Sequence, residues 1–222
     1  ITPKFLSWSE NFSENYKEEN QPLYLVPKIK EISKSKLEES LIWWKNKIGI
    51  DIAKKNKIIF AGNINNAYNF EDLITALLSP ELASSDYELL ICGEGELLKY
   101  VKNRLLKKTN IFFPGWVSYN KLLALKILSI ATLAPYRNTF DFQMSIPNKI
   151  LDSLYFGLPV ITSLKGEVEN LIKENNVGYF CEDSFSWTYQ INRCINDPIN
   201  RELLSTNAIN LYKNKFNSEI VY

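Results

Sequence analysis

Two side chains able to do chemistry stand close together in the stretch APYRNTFDFQMSIPNKILDSLYFGLPVITS, residues 134–163. Lys149 and Asp152 are three residues apart, which sets an ammonium and a carboxylate on one side of a helix near its start. Pro147 suits the first turn because its missing N–H is not needed there, and Ser145 and Asn148 can cap the helix. Free N–H groups at a helix N-terminus, joined by a lysine and a carboxylate, suit a ligand that is anionic and carries hydroxyls, such as a nucleotide sugar. A solvated surface pair worth at most about 1 kcal/mol would use the same two residues. The eleven-residue loop ahead of the helix, Tyr136 to Ile146, argues for a site because it is long and decorated for a connector.

The elements that must position these groups read from the chain in order. Gly157 ends the helix, and Leu158 to Thr162 returns as an apolar, β-branched strand. Upstream, IIFAG (58–62), YELLICG (87–93), IFFPG (111–115) and SIATLAP (129–135) read as strands. Helical patterns over 70–78, 96–107 and 119–127 separate them. Downstream come a helix over 168–174, a strand over 177–181, and helices over 185–195 and 201–215. Strands alternating with helices over this length predict an α/β fold with a doubly wound parallel sheet, because each parallel connection crosses over through a helix.

Ligands of such sheets bind beyond the carboxyl ends of the strands. Those ends are Gly62-Asn63, Gly93-Glu94-Gly95, Gly115-Trp116-Val117 and Pro135-Tyr136-Arg137, and three of the four carry glycine where backbone must approach a ligand. GEGE (93–96) is not a dinucleotide fingerprint, since Leu98 stands where a third glycine would be. It reads as a tight strand-to-helix turn whose two carboxylates disfavour close phosphate contact.

Composition narrows the classes. With 26 basic and 25 acidic residues there is no basic field to attract nucleic acid. The lysines of 28–57 alternate with glutamates and predict a solvated helix face. A 45% hydrophobic content with 13% aromatics supports a real core. There is no histidine, which excludes histidine-dependent triads and imidazole–zinc sites in this chain. Cys92, Cys181 and Cys194 form no CxxC pair and suggest a reducing, cytoplasmic setting. No apolar run approaches the roughly 20 residues of a membrane span, and no signal peptide is visible.

Residues 1–56 are irregular. KFLSWSENF is aromatic and polar by turns, Leu23–Val26 is a candidate strand, and Ile29–Ile48 has helical spacing with Gly49 as its stop. Trp43 and Trp44 must cover core surface or be covered by a partner domain. Beginning at Ile1 without methionine, the sequence reads as a fragment of something longer.

The strand ends and their order resemble the C-terminal, nucleotide-sugar-binding half of a GT-B glycosyltransferase of family 4 (glycosyl transferases group 1). The matching pieces are IIFAGNINNAYNFEDLITALL, YELLICGEGELLKYVKN, NIFFPGWVSYNKLLAL, IATLAPYRN, IPNKILDSLYFGLPVITS and ENLIKENNVGYF, over residues 57–181. KFLSWSENF looks like the linker after the first domain in relatives that make bacterial polysaccharides. The resemblance implies one Rossmann-like half of a GT-B fold in residues 57–222, of about six strands with helices on both faces. Residues 1–56 would be interdomain linker and leaning helix, and the N-terminal, acceptor-binding domain would lie outside this chain.

It also implies roles. Asp152 would bind the ribose hydroxyls of the donor, Lys149 would face the diphosphate, the Gly62-Asn63 turn would pass close to it, and backbone at Trp116-Val117 would face the base. Gly93, Tyr136, Ser145, Pro147 and Asn148 would complete the donor site. Lys149, Arg137 and Asp152 would carry the chemistry, with departure of the diphosphate assisted by positive charge and helix N–H groups. Two departures from the family pattern stand out. Met144 occupies the place of the first of two acidic residues, and NINNAYNFED holds no base where the family carries Arg and Lys after the first strand.

The implied activity is retaining transfer of a sugar from a nucleoside diphosphate of UDP or GDP type to a glycan or lipid-linked acceptor, without metal or other cofactor. The full-length enzyme would work in the cytoplasm at the inner face of the membrane, and this chain alone would turn over little or nothing. A rival reading, motivated by Met144, is a non-catalytic nucleotide-binding or interaction module. A nucleotide-sugar epimerase of related fold is disfavoured because its catalytic histidine and acid are not evident.

Overall fold

A computed structural model describes residues 32–216. Six strands form one parallel sheet: β1 (Asn56–Ala61), β2 (Tyr87–Cys92), β3 (Ile111–Gly115), β4 (Ala131–Ala134), β5 (Val160–Thr162) and β6 (Gly178–Phe180). Their spatial order is β3-β2-β1-β4-β5-β6. The chain steps outward from β1 to β3, then returns past β1 to build β4 to β6 on the other side. That reversal between β1 and β4 opens a crevice at their carboxyl ends.

The strands are apolar throughout because both faces are covered. Alternate residues serve different cores: Ile58, Phe60, Leu89 and Ile91 pack on one face, while Ile59, Leu90 and Cys92 pack on the other. Helices α2 (Glu71–Leu77), α3 (Pro80–Ala83) and α4 (Leu98–Leu105) follow β1 and β2, and α5 (Tyr119–Ile127) follows β3. After β4 come α6 (Phe140–Gln143) and α7 (Asn148–Tyr155), then α8 (Glu167–Asn175) after β5. The long pair α9 (Ser184–Asn196) and α10 (Pro198–Leu211) ends in a wide turn over Tyr212–Phe216. The apolar runs thus give the predicted six parallel strands and helices on both faces.

Several boundaries differ from the sequence reading. β5 opens at Val160 rather than Leu158, since Pro159 has no N–H to give the ladder. The helix expected from Glu96 begins at Leu98, because the Leu97 N–H is drawn 3.0 Å onto the Ile64 carbonyl. The loop before Asn148 contains the short helix α6. Between β2 and β3 the register slips by one residue around Pro114, so Cys92 pairs with Gly115.

The helix expected over 29–48 is α1 (Lys34–Trp43) plus a wider turn to Ile48, capped by Ser33 and stopped by Gly49 at φ 79°. Its Trp44 is buried and donates from Nε1 to the Lys121 carbonyl at 3.0 Å, so α5 is the cover it needs. Lys34, Lys36, Lys45 and Lys47 are solvated as expected. Lys57 is not: it is fully buried, with Nζ 3.0 Å from Glu88 on the neighbouring strand. Ile29, KFLSWSENF and Leu23–Val26 lie outside the described residues. Among the described residues no helix is long and apolar enough to cross a membrane.

Candidate functional site

The ends of β1, β2 and β3 enclose a cleft of about 460 Å³. Its walls are backbone at Ala61–Asn63 and Cys92–Gly95, with Trp116, Val117 and Leu122 closing one side. Backbone hydrogen bonds lace the rim: the Gly62 N–H reaches Cys92 O at 3.0 Å, and the Gly93 N–H reaches Gly115 O at 2.8 Å. Gly93 has φ 129°, and a Cβ there would lie 1.9 Å from the Gly62 carbonyl. Only glycine lets the two turns approach so closely. Trp116 is 73% exposed, an aromatic face at the mouth with little packed against it.

Behind this wall lies Lys149. A Cβ on Gly62 would meet its Nζ at 3.1 Å, so the amine sits one backbone thickness from the cleft. It comes from the first turn of α7 and is half-buried, with its Nζ wholly enclosed and without a hydrogen-bond partner. Three rings surround it, with centroids 3.6 Å (Phe60), 4.4 Å (Tyr68) and 5.8 Å (Tyr136) away. Burial pushes its pKa well below the ordinary lysine value; nearby Lys126 adds to that, and Asp152 opposes it. The Tyr68 hydroxyl donates to that of Tyr136 at 3.4 Å, and burial raises both hydroxyls. The faces of electron-rich rings favour a cation between them.

The rival reading of Lys149 and Asp152 as a solvated surface pair is not what forms. Asp152 turns to Lys126 on α5, whose Nζ lies 3.0 Å from Oδ2, while Lys149 turns inward. Backbone spacing puts the two residues on one side of α7, but the longer side chain follows the apolar interior. Nor do Ser145 and Asn148 cap that helix. Its cap position is Pro147, without a side-chain bond. Ser145 is held back by α6, donating to the Asp141 carbonyl at 2.9 Å, and Asn148 is already in the first turn.

Of the residues picked from sequence, Gly62, Asn63, Gly93, Trp116 and Val117 line one cleft. Lys149 joins them through Gly62, and Tyr136 belongs to the aromatic box rather than to the cleft. Arg137 is exposed and tied to the preceding turn, its Nε donating to Tyr68 O at 3.2 Å. Met144 is 40% exposed beyond α6. The acidic pair of GEGE divides: Glu94 lines the cleft, while Glu96 accepts from the Asn66 backbone and side chain. Sequence reading missed Lys126, Phe60 and Tyr68. Lys126 carried one signal, a cation four residues after cleft-lining Leu122 on the same helix face.

Residues 44–211 match the glycosyl transferases group 1 family, and the chain belongs to that family. No curated protein sequence matches it. Among solved structures it is similar to WaaG, a glycosyltransferase involved in lipopolysaccharide biosynthesis, with 18% identity and a TM-score of 0.63 over 97% of this chain and 58% of that one. Anabaena HepE, solved in complex with UDP-glucose, shares 15% identity at a TM-score of 0.67, covering 86% of this chain and 51% of that one. The C-terminal domain of a glycosyl transferase group 1 family protein (LpcC) from Francisella tularensis shares 19% at a TM-score of 0.61, covering 80% and 92%. The chain thus spans little more than half the length of the WaaG and HepE chains and most of a C-terminal domain, with the Rossmann-like fold of a GT-B half.

Proposed function

We propose that this chain is the donor-binding half of a retaining glycosyltransferase, which holds a nucleoside-diphosphate sugar of UDP or GDP type. The observation that carries this reading is the glycine-walled cleft at the carboxyl ends of β1, β2 and β3, with Trp116 exposed at its mouth. Backbone at Trp116 and Val117 would meet the base, the Gly62-Asn63 turn and Lys149 the diphosphate, and Asp152 the ribose. Arg137 would add positive charge as the diphosphate leaves. The UDP-glucose bound by HepE supports the donor class.

Residues 57–222 would form the donor domain, and residues 1–56 the linker with its leaning helix. The sugar acceptor, a glycan or lipid-linked precursor of cell-surface polysaccharide, would be bound by an N-terminal domain outside this chain. The full enzyme would work at the cytoplasmic membrane face. Neither a metal nor a further cofactor is called for, because helix N–H groups and basic side chains can stabilise the departing diphosphate.

A thermal-shift panel of UDP, GDP and dTDP with their sugars tests the reading, since a ligand bound only by the folded state raises its stability. One nucleotide series should raise the melting temperature, and Trp116→Ala should remove most of that rise, because base stacking on an aromatic contributes roughly 1–3 kcal/mol. No shift with any nucleotide, in this chain or joined to its N-terminal partner domain, would refute it. The specific observation behind a second reading, a non-catalytic binding module, is Met144 in place of an acid. Asp152→Ala in full-length protein separates the two: transfer falls sharply in an enzyme, while a scaffold keeps its partner binding.

A further inference from the structure

Asp152 is held by a residue that sequence spacing does not suggest. Lys126 Nζ stands 3.0 Å from Asp152 Oδ2, joining α5 to α7 across 26 residues of chain. The side chains are 13% and 28% exposed, so the pair is largely sheltered while the carboxylate keeps an opening. Lys126 is fixed from a second side, with Nζ 5.4 Å from the centre of the Phe156 ring. One turn earlier on the same helix face, Leu122 lines the cleft. Lys149, three residues before Asp152 on the same helix, has its amine enclosed among aromatic rings and is unavailable to it.

We propose that Lys126 is a positioning residue of the donor site: it binds Oδ2 of Asp152 and so presents Oδ1 to the ribose hydroxyls of the nucleotide. This rests on the reading of Asp152 as the ribose ligand. The physical reason is plain. A carboxylate accepts through both oxygens, and a short side chain free to rotate would present either to solvent. An ammonium fixed on one oxygen selects a single rotamer and leaves the other oxygen as a pure acceptor. Preorganisation of this kind strengthens a contact without adding a new one to the ligand.

The test measures dissociation constants by calorimetry for UDP and GDP, each beside its 2′,3′-dideoxy counterpart, on the 222-residue chain. Wild type should prefer the ribonucleotide. Lys126→Met, which keeps the stem and removes the charge, should weaken ribonucleotide binding about tenfold, the scale of one charge-assisted hydrogen bond, and leave dideoxy binding unchanged. Asp152→Asn should lose the same discrimination, and the double variant should be no worse than either. Lys126→Arg should restore most of the preference.

A purely structural Lys126 would lower both affinities alike, and that result overturns the inference. So does full discrimination in Lys126→Met when Asp152→Asn has lost it. Should the Met variant fail to fold, Lys126→Arg decides: discrimination kept there, where Asp152→Asn has lost it, supports a cation holding the carboxylate, and discrimination lost, or both nucleotides weakened alike, overturns it. If Asp152→Asn keeps its discrimination, or wild type has none, it is the assignment of Asp152 to ribose that fails.

Discussion

Replacing Lys149 by methionine should make the free chain more stable while weakening its hold on nucleoside diphosphates. The Lys149 Nζ is buried and lacks a hydrogen-bond partner. An unpartnered buried polar group costs about 1–3 kcal/mol, and the rings of Phe60, Tyr68 and Tyr136 return about 2 kcal/mol to a desolvated cation. Methionine has nearly the same length and no charge, and its thioether gains about 0.3–1.5 kcal/mol against aromatic rings. At mid-range the balance is a stabilisation of about 1 kcal/mol, which for a chain of this size raises the melting temperature by roughly 2–4 °C.

The pH dependence fixes the cause. The folded pKa of Lys149 lies below the value of 10.5 that the unfolded chain retains. Between the two the unfolded state binds more protons, so wild-type stability rises with pH through that window. Below the folded pKa the cost of the buried ammonium is fully present. The advantage of Lys149→Met should therefore be largest below the folded pKa and shrink as pH climbs from there toward 10.5, read by differential scanning calorimetry across the pH range. A variant that melts at or below wild type at neutral pH, or whose advantage grows with pH, refutes the reasoning and makes Lys149 a net stabiliser through its rings.

Two further substitutions probe the frame of the site. Gly93→Ala puts a Cβ 1.9 Å from the Gly62 carbonyl on a residue at φ 129°, and should destabilise by about 3 kcal/mol or more; a urea midpoint within experimental error of wild type would contradict the close approach. Glu88→Gln leaves the buried ammonium of Lys57 without its counter-charge, with an expected loss of about 3 kcal/mol. Combining it with Lys57→Met should recover most of that loss by the same urea titration, and no recovery would show that the pair itself stabilises the sheet.

Much of the frame was legible because parallel strands covered on both faces leave long apolar runs, and the glycines mark where those runs end at the rim. The boundaries that moved did so for local reasons invisible to periodicity: Pro159 shortens β5, and the tie of Leu97 to Ile64 delays α4. The site was legible as a set of strand ends, and less so as a network. Spacing places Lys149 and Asp152 on one side of α7, yet the choice between facing each other and facing other partners depends on Phe60, Tyr68 and Lys126. Those residues lie far away in sequence. Ser145 shows the same limit, since the short helix α6 had to form before its hydroxyl could be drawn from the cap position.

Tyr68 ties together the two cations left to a site whose first turn, NINNAYNFED, carries none. Its carbonyl accepts from Arg137 Nε at 3.2 Å, and its ring caps Lys149 Nζ at 4.4 Å. The Tyr68 hydroxyl would also lie 3.4 Å from a Cβ on Gly62, so one side chain touches the wall of the cleft and the cage of the lysine. A diphosphate arriving at Gly62 would meet backbone first, because the amine stands behind the turn. Charge neutralisation by Lys149 then requires the amine to leave the rings, and a shift of the Tyr68 backbone that opens them also moves the carbonyl that anchors Arg137. On the proposed reading the two cations lean on one residue, so substitutions at Lys149 and Arg137 should show coupled rather than additive effects on nucleotide affinity.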